Sequence, residues 1–103
     1  MHIGSAIRTI RRKLSLSQLE LSQKCEITQT ALSQIEVGLK KPSQRTLEKL
    51  CKALEIPEFL IWVLAIEQDD VPHEKQAIYN VVYPVMQDLL LQMAQPAELE
   101  VES

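Results

Sequence analysis

The chain has 103 residues, 46% of them hydrophobic, which suits one compact domain or a small domain with an appendage. Its net charge of −3 conceals an asymmetry: residues 1–65 carry ten Lys/Arg against six Asp/Glu, whereas residues 66–103 carry one Lys against eight Asp/Glu. No apolar run reaches the roughly 18 residues of a membrane-spanning helix, and two unclustered cysteines argue against a disulfide scaffold or a metal-ligand array.

The first predicted helix covers residues 3–13, where Ile3, Ile7, Ile10 and Leu14 recur at helical spacing. Arg8, Arg11, Arg12 and Lys13 lie on or near its other faces, and Ser15 breaks the pattern. Ser17 and Glu20 then form a capping-box pair that opens a helix over 17–24, with Leu16 and Leu21 as a hydrophobic staple. Thr28 is the expected cap of a helix over 29–36, buried through Ala31, Leu32 and Ile35 and stopped by Gly38.

Leu39–Pro42 reads as a basic loop. Ser43 caps the next helix, in which Leu47, Leu50, Cys51 and Leu54 keep helical spacing. Pro57 fits the first position of a fifth helix, 57–66, built around Phe59, Leu60, Val63 and Leu64, with Trp62 as a packing residue. Cys25 and Cys51 lie in apolar stretches and read as buried free thiols.

Residues 67–72 read as a linker, and a strongly apolar helix is expected over 74–94. Ile78, Val82, Val85, Leu89 and Gln92 form one stripe of it, and Tyr79, Tyr83, Met86, Leu90 and Met93 form the neighbouring one. Pro84 should kink this helix and Pro96 should end it. The predicted organisation is residues 1–66, a linker 67–72, a C-terminal helix 73–95 and a frayed tail 96–103.

The informative segment is residues 17–38, two short helices around a tight turn, the second displaying small and amide side chains. Such a unit can place Thr and Gln chemistry in the DNA major groove, and the basic front portion suits a polyanionic partner. The bland alternative for Gln29, Thr30 and Gln34 is an ordinary polar helix face, and for Lys40, Lys41 and Arg45 a solvated loop.

With these residues in view, the front of the chain resembles the Cro/C1-type (XRE-like) helix-turn-helix family of transcriptional regulators. The resemblance is carried by the order and spacing of Leu16-Ser17-Gln18, Glu20-Leu21, Ile27-Thr28, Ala31-Leu32-Ser33, Ile35-Glu36, Gly38, Lys41-Pro42-Ser43, Leu47, Leu50, Ala53-Leu54 and Pro57. It implies an all-α, five-helix lambda-repressor-like DNA-binding domain followed by the long C-terminal helix. Helix 17–24 would be the positioning helix and helix 29–36 the recognition helix. Thr28, Gln29, Thr30 and Gln34 would then contact bases, and Gln18, Ser33, Lys40, Lys41 and Arg45 would contact phosphates. Arg11 and Glu36 would form a partly buried ion pair. This sequence departs from the family at Ser15 and Glu26, where glycine is frequent, and at Leu19, where a charged residue is frequent.

The expected function is sequence-specific binding of double-stranded DNA as a transcriptional regulator, a repressor reading an inverted repeat as a homodimer. Ile78, Val82, Val85, Met86, Leu89, Leu90 and Met93 are the candidate dimerisation residues. The same helix could instead cap a monomer's core, or bind a second protein in an adaptor or antitoxin-like role. There is no glycine-rich phosphate loop, no HExxH and no cysteine cluster, so no enzyme chemistry, metal or cofactor is expected. With no apolar leader visible, a cytoplasmic location without membrane contact is the expectation.

Overall fold

Residues 1–94 are described in a computed structural model, and among them there are six α-helices and no strand. They are α1 (Ile3–Lys13), α2 (Gln18–Cys25), α3 (Gln29–Glu36), α4 (Gln44–Leu54), α5 (Glu58–Leu64) and α6 (Gln76–Gln92). The tail expected to fray, 96–103, lies outside the described residues, as does the stop at Pro96. No helix among the described residues is long and apolar enough to cross a membrane.

Polar side chains cap the starts of α1, α2, α3 and α4. His2 Nδ1 accepts the Ser5 amide at 2.9 Å to open α1. The α2 capping box is complete: Ser17 Oγ accepts from the Glu20 amide at 3.0 Å, and Glu20 Oε1 accepts from the Ser17 amide at 2.8 Å. Thr28 and Ser43 cap α3 and α4 in the same way.

The helix ends share one device. After α1, α2, α3 and α4 the chain turns through a left-handed residue: Ser15, Glu26, Gly38 and Glu55, with φ of 60°, 58°, 87° and 56°. In each case the next amide bonds back to a carbonyl five residues earlier, as in Leu16 to Arg11, Ile27 to Ser22, Leu39 to Gln34 and Ile56 to Cys51. This is the Schellman arrangement, in which the left-handed position is usually glycine. Here glycine occupies one of the four. The other three accept a conformation that disfavours a side chain by roughly 1–2 kcal/mol. The residue that follows explains why: Leu16 and Ile27 pack against the core and Ile56 is buried in it. Leu39, after the one glycine, is 79% exposed.

The core is shared by all of α1, α2, α3, α4 and α5 and is centred on Ile7, Ile10, Leu21, Leu32, Leu50, Leu60 and Ile61, none of them solvent-accessible. Leu16 and Leu21, the expected staple, both join it, while Leu19 stays half exposed. Cys25 and Cys51 are free and buried. Burial pushes the Cys51 thiol up to about 11, reinforced by Glu58, Cys25 and Glu48, so its nucleophilic thiolate is scarce at neutral pH.

Two details of the fifth helix differ from expectation. Pro57 is extended and precedes the helix rather than opening it, and Glu58 is the first helical residue. Phe59 points outwards, 54% exposed, and Ile61 takes the core position. Leu60, Ile61 and Leu64 lie within one roughly 100° face of the helix, and burying that face turns Phe59 outwards.

The 67–72 segment is not a plain linker. It folds into a 3-10 turn at Gln68–Asp70, followed by a second at His73–Lys75. The Met1 ammonium lies 2.8 Å from both Glu67 Oε1 and Asp70 Oδ2. Helix α6 follows and is tied to the end of α5 by two tyrosines. The Tyr83 hydroxyl donates to the Leu64 carbonyl at 2.8 Å, and the Tyr79 hydroxyl to the Ile66 carbonyl at 2.9 Å. These carbonyls lie at the end of α5, where no intrahelical partner is available. The tyrosine rings stack with centroids 4.8 Å apart.

Candidate nucleic-acid interface

The α2–α3 unit is compact because three residues, Glu26–Thr28, join its helices. Glu26 makes the left-handed turn, Ile27 anchors to the core and Thr28 starts α3. Leu32, Ile35 and Glu36 give α3 its buried side. Thr28, Gln29 and Thr30 are exposed at its N-terminal end, and Ser33 and Gln34 are half-buried behind them. Thr28 Oγ1 accepts the Ala31 amide at 3.0 Å, so the hydroxyl hydrogen stays available as a donor. Gln29 and Thr30, exposed on the same turn, present an amide and a hydroxyl to solvent.

The far end of α3 is fixed from behind by α1. A side-chain carbon at Gly4 would sit 1.9 Å from the Ile35 carbonyl oxygen. The two helices therefore touch backbone to backbone, and glycine alone fits there. Glu36 completes the attachment. It is 1% exposed, yet every oxygen is satisfied. Arg11 Nε donates to Oε2 at 2.7 Å and Arg11 Nη2 to Oε1 at 3.0 Å. Gln18 Nε2 donates to the same Oε1 at 3.0 Å, and Arg8 Nε reaches it at 3.4 Å. Arg11 Nη1 also donates to the Leu16 carbonyl at 2.8 Å, which ties the α1–α2 turn into the same cluster.

Burial alone would raise the Glu36 carboxyl. The hydrogen bonds from Arg11 and Gln18, the charge of Arg11 and the Arg8 contact outweigh it and hold the group below its ordinary value of 4.5. The carboxylate thus stays ionised and locks α1, the start of α2 and the end of α3 into one unit.

Lys40, Lys41 and Arg45 are all exposed, on the loop after α3 and on the first turn of α4. Among the described residues, no three His, Cys, Asp or Glu side chains are placed to hold a metal. The structure thus gathers Thr28, Gln29 and Thr30 at one helix end, and Arg11, Gln18 and Glu36 in one buried cluster. It adds two features absent from the sequence expectations. One is the Arg8 contact to Glu36, hinted at by its position three residues before Arg11. The other is the close approach at Gly4, hinted at by a glycine among apolar positions of α1.

The helix-turn-helix family pattern matches residues 7–61, more than half the chain, and spans all of α2 and α3. The chain belongs to the helix-turn-helix family. Among this helix-turn-helix protein's relatives is an uncharacterised HTH-type transcriptional regulator of Mycobacterium tuberculosis, found in two strains. It is 33% identical over 77 residues, covering 73% of this chain and 55% of the relative. The immunity repressor protein of Bacillus phage phi105 is 32% identical over 80 residues, covering 78% of this chain and 53% of that protein. The chain spans about half the length of these relatives.

Proposed function

We propose that this helix-turn-helix protein is a Cro/C1-type transcriptional regulator, a repressor that reads an inverted repeat in double-stranded DNA as a homodimer. One observation carries the reading: α3 offers Thr28, Gln29 and Thr30 to solvent at one end, while Gly4, Ile35 and Glu36 fix its other end rigidly to α1. A recognition helix needs both properties, free base-reading groups and a fixed angle of entry into the groove. Gln29 can bond adenine N6 and N7 in a bidentate pair, worth roughly 1–3 kcal/mol of discrimination, and Thr30 can meet a base edge or the thymine methyl. Gln34 is a further base contact. Gln18, Ser33, Lys40, Lys41 and Arg45 serve the phosphates and supply salt dependence. The names of the relatives, a transcriptional regulator and an immunity repressor, support the same reading.

In this reading residues 1–66 bind DNA, and α6 pairs two copies. Ile78, Val82, Val85 and Leu89 recur at 4-3-4 spacing and are 44% to 65% exposed, flanked by Met86 and Met93. Asp88 is the one charged residue within α6, so an uncharged seam repeated on a second copy is the natural cover. Leu90, also in the expected dimer set, packs against the chain's own core instead. The same exposed seam favours a second reading, an adaptor that docks another protein through α6.

Fluorescence anisotropy with the protein's own promoter fragment and an unrelated duplex separates these readings. Replacing Gln29 and Thr30 with alanine should weaken specific binding more than non-specific binding. Equal losses on both duplexes remove their role as base readers. Absence of tight binding at low salt, with a second protein co-purifying stoichiometrically, supports the adaptor.

A further inference from the structure

We propose that Arg8 is a backbone-phosphate contact, held beside Gln18 by the buried carboxylate of Glu36. The inference rests on the DNA-binding reading above and adds a residue that the sequence pattern leaves unassigned. Arg11 alone satisfies Glu36 as an ion-pair partner, with bonds of 2.7 and 3.0 Å to the two oxygens. Arg8 is a second cation on the same carboxylate, reaching Oε1 through Nε at 3.4 Å. Two arginines around one glutamate leave an excess positive charge where α1, α2 and α3 meet.

Arg8 also keeps most of its donors. A guanidinium carries five N–H groups, and among the described residues Nε is the Arg8 nitrogen with a protein acceptor. The side chain is 35% exposed, so those donors remain accessible to solvent. Gln18 Nε2 bonds the same Oε1 at 3.0 Å, which brings the two side chains together at one atom and leaves Gln18 a second amide hydrogen. A planar cation next to an amide donor matches the several acceptor oxygens of a phosphodiester. Because Glu36 already restrains both side chains, little further side-chain freedom is lost when the anion arrives.

The test is DNA affinity as a function of salt for the full chain and for R8Q, R8K and K41A, on the preferred duplex and an unrelated one. For R8Q the slope of log affinity against log salt should become shallower by about 0.9 for each Arg8 in the complex. The loss should be equal on both duplexes. R8K, which keeps the charge, should restore most of the slope. An R8Q slope equal to that of the parent overturns the proposal even if affinity falls, because a folding defect removes active protein without removing a counterion. If K41A flattens the slope and R8Q does not, the Arg8 contact fails while the DNA-binding reading stands. Absence of salt-dependent binding by the parent chain overturns both.

Discussion

Helices α1–α5 and helix α6 solve the burial problem in opposite ways. In the first group the apolar stripes converge on one core, and even the charged Glu36 is enclosed and fully bonded. In α6 no residue is buried, and Ile78, Val81, Val82, Val85, Met86 and Leu89 lie open. Two tyrosine hydroxyls, the Gln76 amide bonded to the Gln68 and Val71 carbonyls, and the half-buried Leu90 and Leu91 hold it to the rest. A 17-residue helix with that much apolar surface gains little by standing alone in water. The contrast separates a unit that closes its own core from a helix that leaves its apolar side chains open.

The enclosed half breaks most readily at Glu36. Glu36→Ala leaves Arg11 buried without its counter-charge and should cost about 3–5 kcal/mol of stability in urea denaturation. The pH dependence has a defined sign. The folded carboxyl lies below its ordinary value of 4.5, so its contribution is present above that value and is lost as pH falls through the folded value. Acid unfolding of the parent should therefore be steeper below pH 4.5 than that of Glu36→Gln.

The open half breaks differently. Val85→Asp combined with Leu89→Asp should abolish self-association, because each apolar side chain withdrawn from an interface forfeits roughly 1.5–3 kcal/mol. A dissociation constant raised by roughly 100-fold or more, with helicity by circular dichroism unchanged, is the expected result. Sedimentation velocity checks it, and a species identical in size to the parent contradicts the dimer seam. Tyr83→Phe probes the join between the two halves. Losing the bond to the Leu64 carbonyl should cost about 1 kcal/mol. The smallest effect runs the other way: Glu26→Gly should stabilise by up to about 1 kcal/mol, seen as a raised melting temperature, because glycine adopts the left-handed turn without strain.

Helix starts were legible because Ser17, Thr28 and Ser43 advertise themselves as caps. Helix ends were legible at Gly38, and at Ser15 and Glu26 through the glycine that the resemblance places there, whereas Glu55 carries no such mark. Ser15, Glu26 and Glu55 take the same conformation because Leu16, Ile27 and Ile56 pull the following backbone inward, and that pull belongs to the tertiary core. The polar end of α3 could be read from residue type and spacing. The Arg8 contact could not, since it depends on α3 ending against α1. In α6 two adjacent stripes were equally apolar on paper. Within the second stripe Tyr79, Tyr83 and Leu90 turn inward while Met86 and Met93 stay exposed, because the tyrosine hydroxyls find acceptors at the end of α5.

The most direct measurement is selection of duplexes bound by the full chain from a random pool, followed by sequencing. The account predicts an inverted repeat with half-site centres about 10–10.5 base pairs apart, or a multiple of that spacing. It also predicts that Gln29→Ala changes the preferred base within each half-site. A pool that stays random after repeated selection, or a preferred sequence unaltered by Gln29→Ala and Thr30→Ala, would contradict it.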